Sequence, residues 1–219
     1  MQQAIFVLNN ENSIANQFFA ELRHRETQQH RMQFRRNLVK LGGILAYEIS
    51  KCLDYQSINV ETVLGISSVN VLQHPPVLFT IIRAGLPFLE GFQECFNQSD
   101  CGFVGASRSE GKTHEISITM GYQAIAPFEG KDLIIVDPML ATGKSLAACT
   151  NAILEYGTPK SLHFAIAIAS PEGAAFLKES LPMDHQLWIG AMDDGLNQKG
   201  YIVPGLGDAG DLLFGGKIE

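Results

Sequence analysis

Apolar positions along this chain follow two different periods, and the periods mark out its elements. Residues 13–23 and about 28–53 carry a helical period; in the second, Phe34, Leu38, Leu41, Leu45 and Ile49 recur three and four apart and form one apolar face. Val77 to Ile82, Gly102 to Ala106, Leu133 to Val136, Leu162 to Ala169 and Gln186 to Met192 are short, nearly continuous apolar runs. Helical stretches separate several of them, from Leu86 to about Phe96, from Thr142 toward Gly157, and from Pro171 to about Leu181. Continuous apolar strands alternating with helices predict an α/β fold, with a parallel central sheet covered by helices on both faces. Ile116 to Ala124 differs, since polar residues occupy its alternate positions; it reads as an exposed arm and a candidate subunit contact.

Ligands of such sheets bind at the carboxyl ends of the strands. Arg83, Arg108, Asp137 and Asp193 all fall at or just beyond predicted strand ends, which brings four charges to one rim. The most informative segment is Ile134 to Ser145, I-I-V-D-P-M-L-A-T-G-K-S. It reads as a buried strand, one carboxylate (Asp137), a short loop and a helix opened by Thr142-Gly143-Lys144-Ser145. Free amides and the helix dipole hold a phosphate at such a place, and the acid accepts hydrogen bonds from vicinal hydroxyls. Two arginines at the same rim suit a highly phosphorylated substrate. The alternative for either arginine is a structural pair with a carboxylate. No Ser/His/Asp or Cys/His set stands out, so a direct displacement driven by positioning and charge stabilisation is expected, without a covalent nucleophile.

Two segments imitate other motifs. Gly143-Lys144-Ser145 ends like a P-loop, but that motif needs a glycine five positions earlier, where Pro138 stands with a fixed φ and no N–H. Gly205-Leu206-Gly207-Asp208-Ala209-Gly210 is formally G-x-G-x-x-G, yet the sequence stops at Glu219 with no room for a dinucleotide-binding unit. Those glycines read as an irregular loop that approaches a ligand closely.

Composition narrows the field. With 219 residues, 46% of them hydrophobic, the chain fits one sizeable domain over 1–219, with the N-terminal helices (1–55) and the C-terminal segment (186–219) adjoining. Sixteen basic against 23 acidic residues give a net charge of −7, which argues against a general nucleic-acid binder. The four cysteines (Cys52, Cys95, Cys101, Cys149) have no C-x-x-C spacing, so a reducing compartment is expected and no disulfide framework. The histidines show no metal-ligand spacing. The start, M-Q-Q-A-I-F-V-L-N-N, lacks the features of a signal peptide, and no apolar run spans a bilayer. A soluble, cytoplasmic protein without membrane or nucleic-acid partners is expected. Arg23, Arg25, Arg31, Arg35 and Arg36 crowd the start of the long helix as a solvated face or as an anion or partner contact.

Val136 to Ser145 resembles the phosphoribosyl-diphosphate loop of uracil phosphoribosyltransferases, as does Arg83-Ala84-Gly85-Leu86. The strongest likeness is the tail, Asp194-Gly195-Leu196-Asn197 followed by Gly200-Tyr201-Ile202-Val203-Pro204-Gly205-Leu206-Gly207-Asp208-Ala209-Gly210-Asp211, which in that family forms a base-recognising hood. Phe34-Arg35 and Tyr47-Glu48 extend the resemblance into the long helix. It implies a type I phosphoribosyltransferase-like fold with a C-terminal hood and a small β-arm, and transfer of the phosphoribosyl group from 5-phosphoribosyl 1-diphosphate to N1 of uracil, giving UMP and diphosphate. By the same likeness Arg83, Arg108 and Asp137 are catalytic. The ribosyl diphosphate is bound by these three with Pro138, Met139, Leu140, Ala141, Thr142, Gly143, Lys144, Ser145 and Asp208. Uracil is bound by Tyr201, Ile202, Gly207, Asp208 and Ala209. Mg²⁺ arrives with the ribosyl diphosphate, no protein metal ligands are implied, and the partner is a second copy of the chain in a homodimer or higher homo-oligomer.

The chain departs from the wider superfamily at two places in the loop. Pro138 replaces the second of two adjacent acids, a loss the uracil branch shares, and Lys144 stands where a small residue is common, either adding charge near the 5′-phosphate or pointing to solvent. Two rival readings remain at this level, an RNA-binding uracil or UMP sensor on the same fold, supported by the arginine cluster, and a P-loop nucleoside kinase, which would consume ATP with uridine; a closer option is a phosphoribosyltransferase for another base.

Overall fold

A computed structural model describes residues 5–110 and 116–216, with the side chains of 106–120 outside the description. In chain order the elements are β1 (Ile5–Val7), α1 (Ala15–Arg23), α2 (Arg31–Ser50), β2 (Tyr55–Thr62), β3 (Gly65–Leu72), β4 (Val77–Ile82), α3 (Leu86–Cys95), β5 (Cys101–Glu110), β6 (Ile116–Ala124), β7 (Asp132–Leu140), α4 (Lys144–Leu154), β8 (Ser161–Ala169), α5 (Pro171–Ser180), β9 (Gln186–Met192), β10 (Gly195–Leu196), β11 (Ile202–Val203) and α6 (Ala209–Phe214). Seven strands form the main sheet in the order β1-β9-β8-β7-β4-β5-β6, all neighbours parallel except β5 and β6.

The strands are apolar on both faces because both are covered. Leu78, Ile134, Val136 and Ala165 face one way and pack with α1, α2 and α3, together with Leu206 and Leu213 of the tail. Phe79, Ile135, Phe164 and Ile189 face the other way, toward Leu146, Ile153 and Leu177 of α4 and α5. The apolar stripe of α2 is the buried one: Phe34, Leu38, Leu41, Leu45 and Ile49 are all within 1% of full burial. That burial, not helix propensity, holds a 20-residue helix with no side-chain cap at its start.

Direction reverses at the seam between β4 and β7. From β4 the chain moves to β5 on one side, then returns to the other side for β7, β8 and β9. Crossovers diverge at such a seam and leave a crevice at the carboxyl ends of the two strands.

The structure corrects the reading of the arm. β6 pairs with β5 from Phe103–Ala124 to Glu110–Ile116, with one register shift between Gly105 and Ala106, and forms the antiparallel edge of the main sheet. The free-standing ribbon is β2–β3, which the helix–strand alternation passes over. Its signal lies in cross-strand pairs: Ile58 faces Val69, and Val71 and Val60 flank them on the same face, a period of two. Among the described residues no helix is long and apolar enough to cross a membrane.

Candidate active site

Arg83 and Asp137 lie at the carboxyl ends of strands that are neighbours at the seam. Thr80 of β4 is the register partner of Val136 of β7, so Asp137 lies one residue, and Arg83 three residues, past the same rung. The buried Thr80 hydroxyl fixes that rung by donating to the Val136 carbonyl at 2.8 Å. The Asp137 carboxylate is half-buried, and one oxygen accepts from the Met139 amide at 3.3 Å, which turns the acid toward the loop that follows.

That loop is shorter than the apolar pattern indicates. β7 runs on through buried Pro138 and half-buried Met139 to Leu140, so the turn is only Ala141-Thr142-Gly143, and α4 starts at Lys144 rather than at Thr142. Gly143 caps the helix with φ +76°, a left-handed conformation suited to glycine, and its carbonyl accepts from Ala147 N at 2.9 Å. The amides of the first turn of α4 point out of the positive end of the helix dipole, where an anion is stabilised. Lys144 is exposed and Ser145 half-buried on that turn.

A second helix start braces the cradle. Ser170 Oγ donates to the Ala141 carbonyl at 2.6 Å and accepts from Gly173 N at 2.9 Å, while Ser170 N donates to Leu140 O at 2.9 Å. Gly173 lies against the loop so closely that a Cβ there would overlap the Ala141 carbonyl oxygen. Sequence reasoning missed Ser170 and Gly173 as site residues. Their signal is the Ser-Pro-Glu-Gly start of α5, an N-cap followed by a proline at N1.

The tail folds over this rim. Gly200 lies next to the Ala141–Gly143 turn, since a Cβ on it would sit 3.6 Å from Thr142 Cγ2. The Leu196 amide donates to Glu172 Oε1 at 3.2 Å, which ties β10 to the first turn of α5. Ile202 is buried on β11 opposite Leu196, whereas Tyr201 is half-exposed. Asp208 is exposed and caps α6, one oxygen accepting from Asp211 N at 3.0 Å; Ala209 is buried. Gly207 has φ +94°, and a methyl added there would meet nothing closer than Leu212 Cδ1 at 4.0 Å, so that face of the loop is open.

Arg83 reaches up to this tail. Its guanidinium lies 3.7 Å from Asp211 Oδ1 and 3.5 Å from the Gly215 carbonyl, and its Cζ is 5.8 Å from the Phe214 ring centroid. Arg35 approaches the same ring at 5.2 Å and donates to Leu213 O at 2.6 Å. Arg23 pairs with Asp193, the two closest atoms 2.5 Å apart. Two of the four rim charges therefore receive corrections or limits. Asp193 faces Arg23 instead of the crevice, and the Arg108 side chain lies outside the described residues, its backbone on β5 opposite Ile118. Arg23 and Arg35 turn onto the tail, while Arg25, Arg31 and Arg36 are exposed. A cavity of about 480 Å³ between Gln28–Met32 and Asp211–Leu212 adjoins the hood, but none of Asp137 to Ser145 lines it.

Behind the loop, burial and secondarily the Asp137 charge push the Cys149 thiol up to about 12, which leaves it protonated and without nucleophilic use. Among the described residues no three His, Cys, Asp or Glu side chains converge as a metal site.

A topological seam in a parallel sheet, an acid at one strand end, an arginine at the next, and a helix start under a folded-back tail are the architecture of the type I phosphoribosyltransferase class. The family model for uracil phosphoribosyltransferase matches residues 9–216, and the chain belongs to that family. It is 42% identical over 211 residues to the uracil phosphoribosyltransferase of Porphyromonas gingivalis, covering 96% of this chain and 98% of that protein. It is 40% identical to that of Thermococcus sibiricus, covering 93% and 87%. Among solved structures, the AQ2163 protein from Aquifex aeolicus superposes with a TM-score of 0.85 at 33% identity, over 98% of this chain and all of that one.

Proposed function

We propose that this chain transfers the 5-phosphoribosyl group from 5-phospho-α-D-ribose 1-diphosphate to N1 of uracil, giving UMP and diphosphate. The observation that carries the reading is the approach of the tail to the strand-end rim: Gly200 lies beside Thr142 of the loop, and Arg83 reaches Asp211 of the tail.

The first-turn amides of α4, with Ala141 to Ser145, hold the 5′-phosphate, and Pro138 to Leu140 form the floor that sets their position. Asp137 accepts hydrogen bonds from the ribose hydroxyls. In the displacement, the bond between C1′ and the diphosphate oxygen breaks as the N1–C1′ bond forms. The diphosphate leaves with the bonding pair and uracil loses the N1 proton. Positive charge grows on the sugar and negative charge on the leaving group. Arg83 and Arg108 stabilise the latter, an electrostatic contribution largest in a site that excludes water. Mg²⁺ enters as part of the substrate, bound to the ribosyl diphosphate, with Asp208 as the hood carboxylate that faces it.

Uracil presents an oxygen–NH–oxygen edge, and backbone groups of Ile202 and Gly207 to Ala209 match it, with Tyr201 beside them. Cytosine would leave a buried polar group unpaired, at a cost of about 1–3 kcal/mol. The N-terminal helices and the tail work with the sheet as one domain, as the Arg23 and Arg35 contacts to the tail support. A homodimer is supported by the β2–β3 ribbon, whose apolar face (Ile58, Val60, Val69) and tip (Val63, Leu64) are exposed; an unpartnered two-stranded ribbon is marginal in water. A reducing, cytoplasmic setting is supported by four unpaired thiols.

Two features of the geometry weigh against the rivals. A three-residue turn after a strand that includes Pro138 cannot wrap a β-phosphate as a P-loop does, and the arginine cluster is partly engaged with the chain's own tail. The test is turnover. Protein, uracil, ribosyl diphosphate and Mg²⁺ are expected to yield UMP and diphosphate, with chelator abolishing product. ATP consumption with uridine, or no UMP at all, would overturn the reading.

A further inference from the structure

Asp193 stands where the strand pattern places a ligand-facing acid, just past β9, and it faces no crevice. Its side chain is 4% exposed and both oxygens are engaged within the protein. Oδ1 accepts from Arg23 Nη2 at 2.5 Å; Oδ2 accepts from Arg23 Nη1 at 2.9 Å and from the Gly205 amide at 2.8 Å. Arg23 Nη1 also donates to the Gly205 carbonyl at 3.0 Å. The ion pair thus holds both backbone polar groups of a single residue.

That residue is the pivot of the hood. Gly205 has φ +61°, and a Cβ on it would overlap the Ile202 carbonyl oxygen, so the chain doubles back there with no room for a side chain. Ile202 lies before the pivot and Gly207 to Ala209 after it, the two stretches assigned to the base. Both ends of the clamp are anchored in the body of the fold. Asp193 N donates to Ala169 O at the end of β8, at 2.9 Å. Arg23 ends α1, whose Ala15, Phe19 and Leu22 are buried in the core. A bidentate arginine–carboxylate pair fixes direction as well as distance, which a neutral or monodentate contact does not.

We propose that Arg23 and Asp193 are positioning residues for base recognition. They touch neither substrate; they set the angle at Gly205 that lets the backbone on either side of it meet the uracil edge together. The inference rests on the uracil reading above.

The experiment compares Arg23→Lys, Arg23→Gln and Asp193→Asn with the wild type in steady-state kinetics, varying each substrate separately. The expected result is a rise in KM for uracil of about tenfold or more in Arg23→Gln and Asp193→Asn, with KM for ribosyl diphosphate changed by less than about twofold, since misplacement of a contact by a fraction of an ångström acts on the ligand it contacts. Arg23→Lys, which keeps the charge and loses the fork, is expected to fall between. Amide exchange in the 200–210 segment should quicken in the same order. Equal changes in both KM values, or a lowered melting temperature with an unchanged KM for uracil, overturn the positioning role. If Asp193→Asn does not fold, Arg23→Lys still gives the comparison. A wild type that makes no UMP overturns the uracil reading itself, and an active wild type with substrate-independent variants overturns only the clamp.

Discussion

The hydroxyl of Thr80 donates to the carbonyl of Val136 at 2.8 Å, across the seam where strand order reverses. This contact keeps β4 and β7 in the register that puts Arg83 and Asp137 at the ends of adjacent strands. Thr80→Val keeps the shape and removes the donor. It is expected to lower stability by about 1–2 kcal/mol, the scale for a buried hydrogen bond lost from one side, read from the urea midpoint. Turnover should fall with it, because the seam positions both groups; full activity in a destabilised variant would separate the register from the chemistry.

Asp137→Asn and Arg83→Ala are each expected to lower kcat by about 10²-fold or more, the scale for one group that acts in the transition state. Neither is part of the core, so melting temperatures should stay near that of the wild type. If both variants turn over at the wild-type rate, the seam is not where the reaction occurs.

The seam, the cradle and the tail are legible in the sequence for different reasons. Apolar runs locate β4, β7, β8 and β9, because a parallel strand buried on both faces is apolar at most of its positions. Pro138 correctly excludes the P-loop. Three features are not legible. The apolar pattern makes the turn at Ala141–Gly143 too long, because Asp137 interrupts the apolar run while backbone pairing continues to Leu140 with Ala169. The β2–β3 ribbon escapes notice because its short apolar pairs never join into a run. Asp193 reads as a rim residue because a strand-end acid looks the same whether it meets a ligand or Arg23; only the fold brings together residues 170 positions apart.

Gly173→Ala tests the brace under the cradle. The added methyl would run into the Ala141 carbonyl, a backbone atom with no side-chain freedom to move aside. KM for ribosyl diphosphate is expected to rise by about tenfold or more, with a smaller effect on uracil, as displacement of the loop misaligns the phosphate amides. Equal effects on both substrates would show that α5 supports the fold at large and not the cradle.

Gly207→Val tests the open face of the tail. A β-branched residue is strained at φ +94°, and its side chain would fill the space on the ligand side. Uracil saturation should be lost while binding of ribosyl diphosphate, measured by calorimetry, stays largely intact. Loss of both ligands together would make the tail a structural element instead of a base-recognising one.

The last expectation concerns acid stability, and its source lies at the opposite end of the sheet. His163 is 3% exposed on β8, with Trp188 Nε1 donating to its Nδ1 at 3.2 Å and Ser161 Oγ at 2.8 Å from its Nε2. Since an indole N–H can only donate, Nδ1 accepts and the ring is neutral with its proton on Nε2. Ser161 passes the chain on by donating to Asp132 at 2.6 Å. Burial is the main cause that lowers the His163 pKa to about 4; Asp132 opposes it and Lys160 adds to it. A second proton would have to sit on Nδ1, facing the tryptophan donor. The unfolded chain takes up that proton near pH 6.5 and the folded chain only near 4, so the contribution is intact above about pH 6.5 and is lost progressively as pH falls toward 4. The full loss corresponds to about 3 kcal/mol from this one ring. Urea unfolding at about pH 7, 5.5 and 4 should show it as a slope that flattens in His163→Gln, while carboxylates titrate alike in both proteins. Parallel slopes would mean that His163 is already charged in the folded state, which the Trp188 contact forbids.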